Sequence, residues 1–188
     1  MKLKLGDICE IQPGLYLKPS DRQEYSAVFV NLRDFDENHE FTEPSAFVNL
    51  DEVKNKYIIK KDDILFSTRV KFNAYRLPVH SNQMFVASNS FAILKLRNRK
   101  LLPDYLSWFI NHPDREPFYA LRVQGSNRIP YISTSELAEM EIDLPDLETQ
   151  KLIGSIDSLL KKEKRLTAEI LEKRYIYIQT LLSQKIKK

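Results

Sequence analysis

The chain carries one cysteine, Cys9, in 188 residues. One cysteine rules out an internal disulfide and a thiolate zinc site, and it suits a reducing cytosol. We expect Cys9 to serve as a small apolar residue in the first strand. Glycine is equally scarce, with four in the chain (Gly6, Gly14, Gly125, Gly154), none in a phosphate-cradling array. The three histidines, His39, His80 and His112, are scattered and lack a second ligand at metal spacing. No Gly-x-Ser-x-Gly occurs. No apolar run reaches the roughly 18 residues of a membrane span, and the N-terminus lacks the apolar core of a signal peptide.

What is present is a soluble composition with enough apolar content for a core, 43% hydrophobic and 29% charged. The net charge of +3 is unevenly divided. From residue 148 onward there are ten basic and five acidic residues, while the preceding 147 residues hold 19 basic and 21 acidic. A nucleic-acid surface on the first part must therefore be a local patch.

Residues 1–145 read as an α+β domain. Strand-like content falls at Val28–Val30, Tyr57–Ile59, Ile64–Phe66, Met84–Val86 and Phe91–Leu96, and a short helix at Pro103–Ile110. Strands do not alternate regularly with helices, which argues against a doubly wound sheet. Two carboxylate arrangements invite an enzymatic reading. Glu52-Val53-Lys54 with Asp34 or Asp36 has a nuclease-like form, and Asp62-Asp63 is a carboxylate pair. A solvated turn and a turn before a buried strand are the simpler readings.

Residues 146–188 read as one helix, with Asp146 as N-cap and Glu148 in the first turn. Apolar residues recur at spacings of three and four, as a continuous stripe. Forty residues would span about 60 Å, roughly twice a small domain's diameter. Part of the stripe therefore asks for a partner, of which a coiled-coil helix is the simplest. The alternative is that the helix folds back on its own domain. The expected dimer contacts are Ile153, Ile156, Leu160, Leu166, Ile170, Leu171, Tyr175, Ile178 and Leu182. Glu163 and Lys164 interrupt the stripe, and Gly154 weakens the helix by about 1 kcal/mol relative to Ala.

Three segments combine basic side chains with aromatics and amides. They are Gln12–Lys18 with Arg22, Ser67–Arg76 and Arg122–Arg128. Arg and Lys neutralise phosphates, while Arg, Asn and Gln pair with base edges. The candidate DNA contacts are Tyr16, Lys18, Arg69, Lys71, Asn73, Tyr75, Arg76, Arg122, Gln124, Gly125, Ser126, Asn127 and Arg128. Arg69, Lys71, Arg76, Arg122 and Arg128 are assigned mainly to phosphates and purine edges. Asn73, Gln124 and Asn127 are assigned to bases, with Gly125 and Ser126 permitting close backbone approach.

The motifs resemble those of type I restriction-modification specificity subunits. They are Lys4-Leu5-Gly6-Asp7-Ile8 with Gly14, Ile58 to Arg69, Ala87-Ser88, the Tyr105-Leu106 helix, Ile132–Leu137, and Ile142-Asp143-Leu144-Pro145-Asp146-Leu147-Glu148-Thr149-Gln150 running on to Ile153. The last block resembles the family's Leu-Pro-Pro-Leu-x-x-Gln-x-x-Ile lead-in to a spacer helix. Asp62-Asp63 replaces the usual Gly-Asp, and Asp146 replaces the second Pro. The resemblance implies half of such a subunit: one mixed-sheet target recognition domain and one spacer helix. It implies a non-catalytic cytoplasmic protein that reads a half-site in double-stranded DNA. The implied partners are methyltransferase subunits, which bring S-adenosylmethionine, and in some members a restriction translocase. It implies no cofactor of its own. Two spacer helices pair antiparallel in the family, so a homodimer on a bipartite site is expected. The alternatives are one half of a split heterodimeric subunit, or a coiled-coil interaction module without DNA specificity.

Overall fold

Alternation along two strands builds the centre of the molecule. A computed structural model describes residues 2–17, 27–79, 83–97, 100–124 and 129–186. Strand β1 is Lys2–Lys4, helix α1 Leu5–Ile8, and β2 Cys9–Pro13. Next come β3 Ala27–Val30, β4 Phe47–Val48, β5 Ile64–Ser67, β6 Ala74–Tyr75, β7 Met84–Ala87 and β8 Phe91–Leu96. Helices α2 Pro103–Asn111, α3 Glu116–Arg122 and α4 Thr134–Ala138 follow, then β9 Glu141–Asp143 and α5 Leu147–Ile186.

The main sheet is antiparallel, in the order β2-β8-β5-β6. Successive side chains point to opposite faces, and here both faces are covered. Ile64, Phe66, Ala92 and Leu94 face α2 and α4, with Leu106, Phe109, Ile110 and Leu137 against them. Leu65, Phe91 and Ile93 face the second sheet, against Val28, Val30, Phe85 and Ala87. That second sheet has the order β4-β3-β7 and is mixed, β3 pairing antiparallel with β4 and parallel with β7. Each fully buried large side chain contributes about 1.5–3 kcal/mol. Cys9 is buried, in β2 rather than the first strand.

Tyr57–Ile59 does not form a strand. Asn55–Tyr57 is a 3-10 turn whose bonds, Tyr57 N–H to Lys54 O at 2.9 Å and Ile58 N–H to Asn55 O at 3.2 Å, use the backbone locally. Only an isolated bridge, Ile58 to Val86, remains. Asp62 lies in the turn before β5, and Asp63 accepts the Lys60 N–H at 2.9 Å. Asp34 is fully buried, with its carboxylate held by the N–H groups of Asn31 at 2.7 Å and Ser45 at 3.1 Å. It is a loop fastener, which removes it from a nuclease arrangement. Asn111 caps the β6 edge, exchanging side-chain amide bonds with Ala74 N–H (2.7 Å) and Ala74 O (2.9 Å).

The two ends of the globular part meet. β1 pairs antiparallel with β9, and Leu5 N–H donates to Met140 O at 2.8 Å. This pairing fixes the segment that leads into α5. Asp146 caps the helix, its Oδ1 accepting Thr149 N–H at 2.8 Å and its Oδ2 the Thr149 hydroxyl at 2.8 Å. Those bonds hold the Asp146 carboxyl below its ordinary range.

Gln150 is 1% exposed in the second turn of α5, with Oε1 accepting Leu102 N–H at 2.9 Å. Its Nε2 donates to Lys100 O at 2.8 Å and Pro145 O at 2.9 Å. A Cβ on Gly154 would lie 2.8 Å from the Asp104 Cβ, so α2 and α5 cross at this glycine. The helix-weakening residue is thus the one that allows docking. Ile153 packs against the main core, which corrects its assignment to a dimer contact. Further along, Arg165 reaches back to Glu40 at 2.9 Å. From Leu166 to Ile186 the helix is exposed rather than folded back onto its domain. The other expected dimer contacts, Ile156, Leu160, Leu166, Ile170, Leu171, Tyr175, Ile178 and Leu182, are all at least 43% exposed.

Candidate nucleic-acid interface

The turn between β7 and β8 gathers the described parts of the three segments, around Leu15, Thr68–Lys71 and Gln124, at one end of the main sheet. On one side lies the first segment: Gly14 N–H donates to Phe91 O and Leu15 N–H to Ala87 O, both at 2.8 Å. A Cβ on Gly14 would sit 2.1 Å from Ser88 O, so only glycine permits this approach. Tyr16 then projects outward, 86% exposed. On the other side, Thr68 N–H donates to Ser90 O at 2.9 Å and ties down the β5–β6 loop.

The third segment is stitched to that loop. Ile132 N–H donates to Thr68 O at 3.0 Å, and Arg69 bridges Tyr131. On its other side Tyr131 exchanges backbone bonds with Gln124, at 2.9 and 3.1 Å. Residues 129–132 therefore lie between the loop and the end of α3. They bring Arg69, Lys71, Gln124 and Tyr131 onto one surface, all four exposed. Sequence reasoning missed Tyr131 and Ile129 as part of this patch. Their signal was two large apolar residues flanking Pro130 in a basic neighbourhood.

The β5–β6 loop is drawn tight. Lys71 N–H bonds Arg69 O at 2.8 Å across Val70, which has φ of 67°. A three-residue turn of positive φ is strained for any β-branched residue. Ser67 Oγ donates to Arg69 O at 2.7 Å and Ser67 N–H to Asn73 O at 2.9 Å. Val70, 65% exposed, is thus presented between two cations, Arg69 and Lys71.

Several expected contacts are placed elsewhere. Tyr75 is a core residue, 5% exposed, with its ring 4.5 Å from that of Phe35. The alternation of a short strand between α2 and the second sheet turns it inward, and burial raises its hydroxyl pKa. Arg76 points to the α2–α5 junction, ion-paired with Asp104 and donating to Lys61 O at 3.2 Å. The Asn73 amide is held by His39 Nε2 at 2.9 Å, in a half-buried contact. Arg122 is half-buried, 4.1 Å over the Phe118 ring and 3.4 Å from Glu136. Lys18, Gly125, Ser126, Asn127 and Arg128 lie outside the described residues.

A cleft of about 580 Å³ separates α5 from the domain, lined by His39, Glu40, Arg76, Asp104, Asp157, Lys161 and Arg165. Its cations are already partnered: Lys161 with Asp157 at 2.6 Å, Arg165 with Glu40, Arg76 with Asp104. Burial, followed by the charges of Lys161 and Lys71, holds the His39 imidazole below its ordinary range. Among the described residues, no group of three or more His, Cys, Asp or Glu is arranged to hold a metal. Nor is any helix long and apolar enough to cross a membrane.

The family model for the type I restriction modification DNA specificity domain matches residues 1–178. The chain belongs to that family. No curated protein matches it. Among solved structures, one is described as showing complex assembly and conformational transition of the type I R-M system. It is 20% identical with a TM-score of 0.67, over 90% of this chain and 41% of that one. The HsdS subunit from Thermoanaerobacter tengcongensis is 18% identical with a TM-score of 0.61, over 96% and 47%. The type I restriction-modification S subunit from M. genitalium is 16% identical with a TM-score of 0.59, over 97% and 44%. These likenesses share the fold: an α+β recognition domain with a long C-terminal helix. The chain spans less than half the length of each of these three.

Proposed function

We propose that this specificity domain reads a half-site in duplex DNA without catalysing a reaction itself. Two copies joined through α5 would bring two recognition domains to two half-sites in the DNA. The partners would be methyltransferase subunits, which supply S-adenosylmethionine, and a restriction translocase where one is present. The observation that supports the reading is that Arg69, Lys71, Gln124 and Tyr131 lie exposed on one surface beside the β7–β8 turn, in a chain of this family. Arg69 and Lys71 act on phosphates, Gln124 on a base edge, and Tyr16 and Tyr131 supply apolar contact. Tyr75, Arg76 and Asn73 leave the set, because the fold uses their side chains internally.

A duplex-binding titration over salt tests this. Arg69→Ala or Lys71→Ala lowers affinity on every sequence and reduces the salt slope by about 1. Gln124→Ala relaxes preference at one base pair by about 1–3 kcal/mol. Binding that is absent or indifferent to salt would favour a coiled-coil interaction module instead.

A further inference from the structure

Apolar side chains are exposed in the middle of the basic surface. Val70, Ile129 and Tyr131 are 65%, 59% and 41% exposed. The Val70 N–H donates to Pro130 O at 3.4 Å, which sets Val70 beside the chain between Ile129 and Tyr131. Arg69 and Lys71, both exposed, flank Val70 in the loop. Val70 is also the strained residue of this group, with φ of 67°. Glycine takes that conformation without penalty, and asparagine and aspartate take it at small cost. A β-branched side chain there is a steric outlier. Burial does not offset the strain, because the side chain faces solvent. What remains is a contact outside the chain, and strain that the surroundings enforce clusters where ligands are held.

Here the loop is fixed on both sides of Val70. Arg69 O accepts the Lys71 N–H at 2.8 Å and the Ser67 hydroxyl at 2.7 Å, and Lys71 O accepts the Asn73 N–H at 3.0 Å. The bridge between Arg69 and Tyr131 ties the same loop to residues 129–132. Valine is stiff at χ1 as well. Its two methyl groups are therefore presented in place before any ligand arrives, and little ordering entropy is lost on contact.

We infer that Val70 reads the C5 methyl group of a thymine in the major groove of the half-site. This contact rests on the DNA reading above and adds one base-specific group to it. With Arg69 and Lys71 on phosphates, the residue between them is carried toward the base edges. In the major groove those edges present donors and acceptors, and thymine alone adds a methyl group. Valine has no polar atom on its side chain, so it gains from that methyl and leaves the polar groups of other bases without a partner. In the minor groove A·T and T·A show only acceptors, which an aliphatic side chain cannot satisfy. Valine is also shorter than the Phe, Leu, Ile and Met side chains that wedge between base steps.

The test selects duplexes from a random pool with the full chain, then replaces each thymine of the selected half-site in turn with deoxyuridine. Deoxyuridine removes the methyl group and leaves the base pairing unchanged. The selected half-site contains a fixed thymine, and its replacement lowers wild-type affinity about fourfold, the worth of one buried methyl group. Val70→Gly binds the thymine and deoxyuridine duplexes equally, and Val70→Ala discriminates less than wild type, with circular dichroism as the fold check. Glycine relieves the strain at this φ, so Val70→Gly loses discrimination without losing its fold. A selected half-site without thymine, or a wild-type chain indifferent to deoxyuridine at every position, overturns the thymine contact without any variant. Selective, salt-dependent binding in the same assay then leaves the DNA reading standing. A sensitivity that persists undiminished in both variants overturns the role of Val70. A chain that binds no duplex at any salt sinks the DNA reading and the thymine contact together.

Discussion

Gln150 of α5 accepts the backbone N–H of Leu102, the N-cap residue of α2, at 2.9 Å. No side chain of α2 caps its own N-terminus, so the cap is supplied from 48 residues away. The same amide holds the Lys100 and Pro145 carbonyls. Orientation of the long helix is thereby written into one buried side chain. Gln150→Leu removes all three of these bonds, and a buried backbone group that loses its partner costs about 1–3 kcal/mol. We expect the urea midpoint to fall by an amount worth about 3 kcal/mol. A variant as stable as wild type would show that α2 and α5 do not depend on this amide.

Gly154→Ala separates two opposed effects. Helix propensity alone favours alanine by about 1 kcal/mol. Against it, the new Cβ meets the Asp104 Cβ at 2.8 Å, an atom fixed to the α2 backbone. Overpacking of this kind typically costs about 1–3 kcal/mol. The expected result is a lower melting temperature; a higher one would mean that the crossing opens freely.

Val70→Gly acts in the opposite sense. Glycine adopts φ of 67° without steric penalty, and valine there carries about 1–3 kcal/mol of strain. We expect thermal stability to rise despite the entropic loss that glycine brings. Unchanged or lower stability would show that the loop does not store this strain.

His39 gives a pH dependence. Its folded pKa lies below its unfolded value, because burial and neighbouring lysines disfavour the charged ring, and only Asp36 opposes them. The unfolded chain therefore binds the proton first. Stability from this group is full above the unfolded pKa, near 6.5, and declines as pH falls below it. Urea midpoints measured from about pH 7.5 to about pH 5.5 should fall in wild type and fall less in His39→Gln. Equal slopes in the two proteins would exclude His39 as the source.

Much of this architecture was legible in the sequence, for physical reasons. The long helix announces itself because a three-and-four spacing sustained from Leu152 to Ile186 fits no other structure. Central strands β5 and β8 were legible because both their faces are apolar. Tyr57–Ile59 misled, since β-branched content says nothing of a local turn that uses the same N–H groups. Tyr75 and Arg76 sit in the basic stretch and look alike in sequence. Their fates are decided by Phe35 and by Asp104, 28 residues from Arg76, which no local pattern reports. Asn73 is likewise claimed by His39, 34 residues away.

Mapping methylation across the genome of cells that carry this chain together with the proposed methyltransferase partner tests the central claim most directly. The account predicts a bipartite motif with inverted, identical halves that disappears when the chain is deleted and changes at one base with Gln124→Ala. A motif with two different halves would contradict the homodimer. A methylome unaffected by deletion would contradict DNA specificity itself.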